Sequence, residues 1–360
     1  MEALAALVRR GDPRQDASAP TTQEFMFETI SGSNPATAFV GMFADPTNRW
    51  FAFYLFVSLV IASCVFVVEA RRRPELYRAG ILQFLFPRRV YAHRSAIADY
   101  WFFAVNKLLF VFAFGALIAV SSTTAQFAGA LLVKFASPPG LGAPTWFVVP
   151  FTTLAWALAM DFGLWLGHYL LHKVPILWEF HKVHHSAEVL TPLTAGRTHP
   201  IDDALTIIFA GFFGGVGLEL CRFLFGPDAV MLGLFQLNIL LVLFYFFGFH
   251  LRHSHIWLPY KGVWGKLLIS PAHHQVHHSS AERHWDKNLG FIFAVWDWMF
   301  GTLYPVDERE AFETGMNGRE ESEYHSVLAM YFLPFLKIWR GRSPFRGPTV
   351  RTEADKSATS

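Results

Sequence analysis

The stretch MDFGLWLGHYLLHKVPILWEFHKVHHS, residues 160–186, is an apolar run that ends in closely spaced histidines. These histidines are His168, His172, His181, His184 and His185. They form two sets, His168 with His172, and His181 with His184 and His185. On a helix, residues three or four positions apart lie on one face, so the imidazoles of each set can converge. Neutral imidazole binds zinc, copper, iron or nickel. The stretch therefore predicts a metal site at the end of an apolar helix, with a break between the two sets at Pro175.

The same HxxHH spacing recurs as His274, His277 and His278, and 14 of the 16 histidines lie between His168 and His284. Two copies of one element indicate two similar metal positions. A further ligand is expected just after an apolar run, at His253, with His250 and His255 as alternatives. The roles of His199 and His284 stay open between ligand, ligand support and structure. We expect His273, His93 and His325 to lie outside the site.

Eight or nine imidazoles exceed the four ligands of a tetrahedral zinc site, so they suit two metals with open coordination positions. Cys64 and Cys221 lie far apart in apolar stretches, which excludes a CxxC site and a disulfide framework. Asp161 lies two helical turns before His168, and we expect its carboxylate to accept a hydrogen bond from a ligand imidazole. These residues leave the choice between iron and zinc open.

The composition is that of a membrane protein, with 53% hydrophobic and 16% charged residues among 360. A net charge of +2 gives no indication of nucleic-acid binding. Apolar runs long enough to cross a bilayer lie near 50–69, 100–121, 146–167 and 229–249, with a weaker one near 203–225. Glycines in the weaker run indicate close helix packing: Gly211, Gly214, Gly215 and Gly217. The predicted fold is an all-α integral membrane bundle of four to five transmembrane helices with a histidine-rich di-metal cap.

The segment 71–99 contains seven arginines, whereas 122–145 contains only Lys134 as a basic residue. The positive-inside rule places the first of these segments in the cytoplasm. Every histidine cluster then emerges on the cytoplasmic face, provided that 203–225 and 229–249 form a membrane hairpin. We expect the chain to lie in a bacterial inner membrane with its site facing the cytoplasm.

Four regions are predicted. Residues 1–45 are partly ordered at most, and residues 46–145 form a transmembrane hairpin with a basic loop. Residues 146–305 form the catalytic domain, and residues 306–360 form an amphipathic segment and a tail. The aromatic segments Leu289–Thr302 and Leu328–Trp339 are expected to be helices against the membrane surface.

The histidine elements and their flanking residues together resemble the sterol desaturase / fatty acid hydroxylase superfamily over roughly residues 150–305. The matching motifs are Asp161-Phe162 to His172, His181 to Ser186, TAGRTHP (194–200), RHSHIWL (252–258), His274 to Ser279, Asp286 to Asn288 and Trp296 to Thr302. Members of that superfamily are integral-membrane, non-haem di-iron oxygenases. The resemblance implies nine iron ligands: His168, His172, His181, His184, His185, His253, His274, His277 and His278. It also implies supporting or anchoring roles for Asp161, Asn288 and Asp297.

The resemblance further implies hydroxylation or desaturation of a C–H bond in a lipid such as a sterol, fatty acyl chain or sphingoid base. Two iron ions and O2 would be required. Electrons would come from an external NAD(P)H-linked donor, such as a ferredoxin or a cytochrome b5-like protein with its reductase. Two other classes of protein stay open as alternatives, a histidine-rich metal transporter and a membrane cytochrome with bis-histidine haem.

Overall fold

The computed structural model describes residues 35–135, 137–316 and 321–341. The predicted all-α class is confirmed, since helices dominate these ranges. The α-helices are α1 (Pro35–Gly41), α2 (Ala52–Arg72), α3 (Gly80–Leu85), α4 (Arg88–Tyr91), α5 (Arg94–Phe135), α6 (Thr145–Lys173), α7 (Pro175–His185), α8 (Pro200–Phe225), α9 (Ile239–Phe244), α10 (His250–Arg252), α11 (Val263–Leu267), α12 (Pro271–His277), α13 (Val295–Phe300) and α14 (Val327–Trp339). A π-helical turn, Tyr245–Phe249, joins α9 to α10. Short 3-10 turns lie at Pro74–Leu76, Pro192–Gly196, Gly226–Asp228, Glu282–His284 and Glu321–Tyr324.

Three helices in the described residues are long and apolar enough to cross a membrane: Ala52–Arg72, Thr145–Lys173 and Pro200–Asp228. The last includes the run near 203–225 that the sequence marks as weak. Its acidic residues lie near the two ends of the helix, which leaves an apolar middle. The count of four to five crossings stays a prediction.

Helix α5 is continuous over 42 residues, which corresponds to about 63 Å at 1.5 Å per residue. Its first third does not belong to the span predicted near 100–121. Instead, Ser95, Asp99, Phe102 and Asn106 form a buried stripe on one face of the helix. Asp99 binds Arg197, and Asn106 Nδ2 donates to the carbonyl oxygen of Thr198 at 3.1 Å. Residues 94–106 therefore pack against the histidine-bearing segments, and the apolar part of the helix begins after Lys107.

The run 229–249 was expected to be an uninterrupted span, and the structure shows otherwise. It begins as a short antiparallel hairpin, β1 (Gly233–Leu234) and β2 (Leu237–Asn238), and is helical only from Ile239. The Asn238 side chain accepts a hydrogen bond from the Leu240 amide and so starts α9, while its Nδ2 donates to the Thr153 carbonyl. The apolar helix Ile239–Arg252 is about 21 Å long, which is less than a hydrocarbon core of about 30 Å.

Small residues let α6 and α8 pack closely and antiparallel. A Cβ atom at Gly163 would clash with the Phe209 carbonyl oxygen, and one at Gly217 would lie 2.7 Å from Ala159 Cβ. Gly214 packs against Trp156 and Met160 in the same interface. The helix-packing interpretation of Gly214 and Gly217 is thus confirmed, and the contact holds the C-terminal end of α6 beside the start of α8.

The segment Leu289–Thr302 was expected to be one surface helix, but only Val295–Phe300 is helical. Residues 285–294 form a loop that reaches the histidine helices, because two buried carboxylates hold its backbone. Asp297 accepts hydrogen bonds from the amides of Leu289 (3.0 Å) and Gly290 (2.7 Å). We call α7, α12, the turn Pro192–Gly196 and the loop 285–294 the histidine cap.

The outer parts of the chain pack on the core where they are described, and the predicted division into four regions stays a prediction. Helix α1 and the residues after it pack on the core, with Phe39 and Trp50 against Phe103. Helix α14 forms within the predicted segment Leu328–Trp339 and packs Phe335 on Phe180 of α7. The predictions for residues 1–34 and for the tail 342–360 lie outside the described residues.

Candidate metal centre

Three helices deliver the ligand-type histidines to one place. Helix α6 ends at Lys173, and α7 begins at Pro175, as the sequence predicts. Proline has no amide hydrogen and a fixed φ, so it starts a new helix readily and ends the preceding one. Helix α12 begins with Ser270, whose side chain accepts a hydrogen bond from the His273 amide, and with Pro271. These two short helices bring their HxxHH elements face to face.

The nine predicted histidines form two adjoining groups. The first consists of His168, His172, His181, His185 and His277; the second consists of His184, His253, His274 and His278. Within each group, one ligand atom per ring lies within 4.8 Å of all the others. Neither HxxHH element serves one group alone, because His184 joins the second group while His185 joins the first. The ring centroids of His185 and His278 are 4.8 Å apart, so the groups share a wall.

The inward nitrogens of these rings have the spacing of ligands around a metal ion. Nε2 of His168 lies 3.0 Å from Nε2 of His181, and the corresponding distance from His253 to His274 is 2.9 Å. Two nitrogens bound at right angles to an ion at roughly 2.1 Å would be about 3.0 Å apart. Three further inward Nε2 atoms are buried and make no hydrogen bond within the described residues: those of His172, His185 and His277. The donor set therefore fits two metal ions.

Protein groups outside the two sets orient several of the rings through Nδ1. The carbonyl oxygens of Leu289 and Lys287 lie 2.8 Å from His168 Nδ1 and 2.9 Å from His277 Nδ1. The Arg197 carbonyl lies 3.3 Å from His184 Nδ1. A carbonyl can only accept, so in these rings Nδ1 donates and Nε2 carries the lone pair that a metal needs.

Two carboxylates orient two more rings, and neither of them is Asp161, the carboxylate that we expected in this role. Asp202 Oδ2 accepts from His181 Nδ1 at 2.6 Å, and Asp286 Oδ1 accepts from His172 Nδ1 at 3.2 Å. The sequence reasoning assigned no role to Asp202. Its position gives no signal, because an acidic residue in the first turn of a helix is favourable without any further partner.

The expectation that Asp161 accepts a hydrogen bond from a ligand imidazole is wrong. Its oxygens accept from the amides of Ile292 (2.7 Å) and Phe293 (3.0 Å) and from Trp296 Nε1. Asp161 instead anchors the loop 285–294, as Asp297 does from the other side. Asn288 joins this anchorage, since its Nδ2 donates to the His273 carbonyl and its Oδ1 accepts from the Tyr304 amide.

At His274 the arrangement differs, because Arg252 Nη2 donates to its Nδ1 at 2.8 Å. The Arg252 side chain also donates to the carbonyl oxygens of Gly290 and Phe291. It therefore links the second histidine group to the loop that orients the first.

The open alternatives are resolved by position. Of the three histidines after α9, only His253 joins a group; His250 stacks near Trp50, and His255 Nε2 lies 2.6 Å from the Phe84 carbonyl. His199 Nδ1 accepts from the Ile201 amide and caps α8. His284 lies beside Glu310.

The remaining histidines lie outside both groups, as expected. His273 Nδ1 is hydrogen-bonded to Ser270 Oγ at the start of α12. His93 and His325 both approach Glu188, His325 at 2.6 Å.

The site is buried, and this keeps the imidazoles in their metal-binding form. Burial, followed by neighbouring positive charge, lowers the pKa of six rings well below the ordinary histidine value: those of His184, His185, His253, His274, His277 and His278. A lowered pKa means that each ring is neutral at pH 7, and neutral imidazole is the ligand form.

Comparison with known proteins agrees with this geometry. Residues 153–302 match the family model described as "Fatty acid hydroxylase". Alkylglycerol monooxygenase from Caenorhabditis elegans is 31% identical, over 57% of this chain and 39% of its own length. Ornithine lipid hydroxylase from Rhizobium tropici is 27% identical (48% and 47%), and methylsterol monooxygenase 2-1 from Arabidopsis thaliana is 30% identical (44% and 58%).

The matches thus span less than two thirds of each of these relatives, and no solved structure matches the chain. The matched region contains all nine histidines of the two groups and the carboxylates that anchor the loop 285–294. These relatives are all named as lipid hydroxylases or monooxygenases. Residues 153–302 thus resemble the sterol desaturase / fatty acid hydroxylase superfamily, as the histidine motifs predicted.

Proposed function

We propose that the chain is a membrane-bound di-iron enzyme that uses O2 to hydroxylate a C–H bond of a lipid. The observation that carries this proposal is the pair of buried histidine groups, nine rings in all, at the end of a candidate membrane helix. In the balanced reaction, one oxygen atom enters the C–H bond and the other leaves as water, which takes two electrons and two protons. The names of the relatives favour hydroxylation over desaturation.

The nine imidazoles would hold the two iron ions, five at the first and four at the second. When bound, the iron pair would supply O2 reduction and hydrogen-atom removal, which no side chain can perform. The carbonyl oxygens of Leu289 and Lys287 and the Asp202 carboxylate orient the rings. The buried surroundings exclude water, and this prevents side reactions of the oxidising centre.

The electrons would arrive from an external NAD(P)H-linked carrier, either a ferredoxin or a cytochrome b5-like protein with its reductase. We propose that the histidine cap faces the cytoplasm, where such carriers are found. The seven arginines between residues 71 and 94 support this orientation.

The two alternatives agree less well with the site. A bis-histidine haem needs two imidazoles on opposite sides of a porphyrin, whereas here four or five ligand atoms crowd within 4.8 Å of one another. A transporter would hold its ion near the middle of the bilayer on broken helices. Here the histidines lie at the end of α6 and in the cap helices beyond it.

The test is expression in a host that makes several lipid classes, followed by anaerobic purification. We expect about two iron atoms per chain by elemental analysis, no haem absorption band, and lipid products that carry one atom of label from 18O2. His184→Ala and His277→Ala should each abolish the product and lower the iron content, while the control His93→Ala should retain both. A haem band, or label that enters the lipid from water, would refute the proposal.

A further inference from the structure

Three charged side chains lie together beside the second histidine group and take no part in holding it. Lys107 marks the point of α5 where the buried polar stripe stops, and the next charged residue on that helix is Lys134. Asp203 is the last charged residue of α8 before Glu219. Arg49 lies in the segment before α2. Each of the three is half-buried.

Aromatic rings lie beside both cations. The Arg49 guanidinium lies 6.0 Å from the Trp50 ring and 5.5 Å from the Phe249 ring. Lys107 Nζ lies 5.9 Å from the Phe103 ring, and Phe103 packs on Trp50 at 4.7 Å. The two cations therefore flank one aromatic cluster.

The carboxylate faces the same cluster. Asp203 Oδ2 accepts from Thr198 Oγ1 at 2.9 Å, and the Thr198 carbonyl accepts from Nδ2 of Asn106, the residue before Lys107. Its neighbour Asp202 points the other way, to His181. Of these adjacent aspartates, Asp202 thus faces the histidines and Asp203 faces the two cations.

The charges of this cluster do not balance. Two cations and one carboxylate leave one positive charge, and none of Arg49, Lys107 or Asp203 forms a direct ion pair in the described part of the chain. A half-buried cation without a direct counter-ion is costly, and an incoming anion removes that cost. Bidentate and charge-assisted contacts to a carboxylate or phosphate are the contacts that guanidinium and ammonium groups make best.

The cluster lies next to the metal centre and at the depth where charged residues give way to apolar ones. The Arg49 guanidinium lies 5.5 Å from the ring of Phe249, which is four residues before His253 of the second group. Trp50 packs 5.6 Å from the ring of His250, three residues before that ligand. The head group of a bilayer lipid lies at such a boundary, whereas its chain lies among apolar residues.

We propose that Arg49 and Lys107 bind the anionic head group of the lipid substrate, and that the negative charge of Asp203 leaves the cluster with one positive charge, so that a group with a single negative charge is preferred. This proposal rests on the function proposed above. The substrate class is then lipids with an anionic head group. Binding in this way would hold the C–H bonds near that head group beside the second histidine group.

The experiment measures binding without turnover. Purified, metal-loaded protein in a neutral detergent is titrated with hexadecanoate, 1-O-hexadecylglycerol or hexadecyltrimethylammonium, which share one chain length and differ in charge. Inorganic phosphate is titrated as a free anion. Binding is followed by the rise in the thermal unfolding midpoint. We expect hexadecanoate to bind at least about tenfold more tightly than hexadecylglycerol, since a charge-assisted hydrogen bond outweighs a neutral one. Inorganic phosphate should give no shift.

Lys107→Gln and Arg49→Gln should each remove the preference for hexadecanoate and leave the affinity for hexadecylglycerol within about twofold of that of the unchanged chain. Lys107→Arg should restore the preference. The control is Lys134→Gln, an exposed lysine at the far end of the same helix. Metal content and the midpoint without ligand show that each variant is folded; if Lys107→Gln is not, Arg49→Gln and Lys107→Arg carry the test.

Equal affinity for charged and neutral probes, or a preference that survives in both glutamine variants, would overturn the proposal, as would an equal shift with inorganic phosphate alone. The outcomes separate from those of the oxygenase proposal. A charge preference without 18O incorporation would leave the head-group site standing and refute the reaction, and 18O incorporation without a charge preference would do the reverse.

Discussion

Arg197 is the residue whose loss should most disturb the histidine cap. It is fully buried, and its guanidinium joins three parts of the chain. Nη1 donates to Asp99 Oδ1 at 2.6 Å, Nη2 donates to Ser186 Oγ at 2.6 Å, and Nε donates to the Val183 carbonyl at 2.8 Å. Nη2 also donates to the Tyr324 carbonyl at 3.1 Å. Helix α5, the end of α7 and the C-terminal region thus meet on one side chain.

The variant Arg197→Met keeps most of the side-chain volume and removes every one of these donors. Asp99 would remain as a buried carboxylate without its cation, and breaking a buried pair in this way costs about 3–5 kcal/mol. The loss should shrink when Asp99→Leu is added, because the double variant leaves no unpaired charge. The coupling between the two substitutions should then be at least about 1 kcal/mol.

The measurement is the free energy of unfolding of the four chains of this double-mutant cycle in detergent, together with their metal content. Arg222→Met provides the matched control, since Arg222 pairs with Glu219 at 2.6 Å but is exposed. Exposed pairs contribute about 0–1 kcal/mol. A loss for Arg197→Met no larger than that for Arg222→Met, or a double variant less stable than both single variants, would refute the reasoning.

Three further outcomes are expected. His253→Ala should lose the metal of the four-histidine group and keep that of the other, whereas His255→Ala should keep both, as measured by elemental analysis; equal losses would show that the grouping is wrong. Asp202→Asn should weaken metal binding about 10–100-fold in competition with a chelator, because the His181 ring loses its carboxylate partner; unchanged affinity would exclude that role. Removing the metals with a chelator should lower the unfolding midpoint, and restoring each ion at 100 times its dissociation constant should regain about 2.7 kcal/mol; an unchanged midpoint would contradict a structural contribution from the ions.

Local spacing made the clustering of the histidines predictable. Rings at i, i+3 and i+4 converge on any helix, so the positions of His181 and His274 relative to their neighbours depended only on helix formation. The partition of the rings between the two groups was not predictable. It depends on how α7 and α12 face each other, and this is a tertiary relation that spacing does not contain.

The carboxylates show a second limit of the same kind. Asp161 lies on nearly the same helix face as His168, and this position suggested that it accepts a hydrogen bond from a ligand imidazole. In the structure Asp161 instead accepts from the amides of Ile292 and Phe293. These amides belong to the loop 285–294, which has no regular secondary structure, so its buried N–H groups need other acceptors. Asp202 is distant from His181 in sequence, and only the packing of α8 beside α7 brings it to 2.6 Å.

Apolar length was the least informative signal, since it does not show where a helix enters the bilayer. The run near 100–121 belongs to a helix whose first turns bind polar groups of the cap through Asp99 and Asn106. The run 229–249 is interrupted by a hairpin. Thr153 of α6 supplies a hydrogen-bond partner to the backbone beside this hairpin, since the Leu232 amide donates to its hydroxyl at 2.8 Å. Irregular backbone at this depth is tolerated only when protein groups supply its hydrogen bonds. The hairpin still returns the chain to the cap, so His253 reaches the second group although Ile239–Arg252 is too short to span. Because the histidines of the candidate metal centre must lie together, they constrain the side of the membrane on which the chain emerges more strongly than hydropathy does.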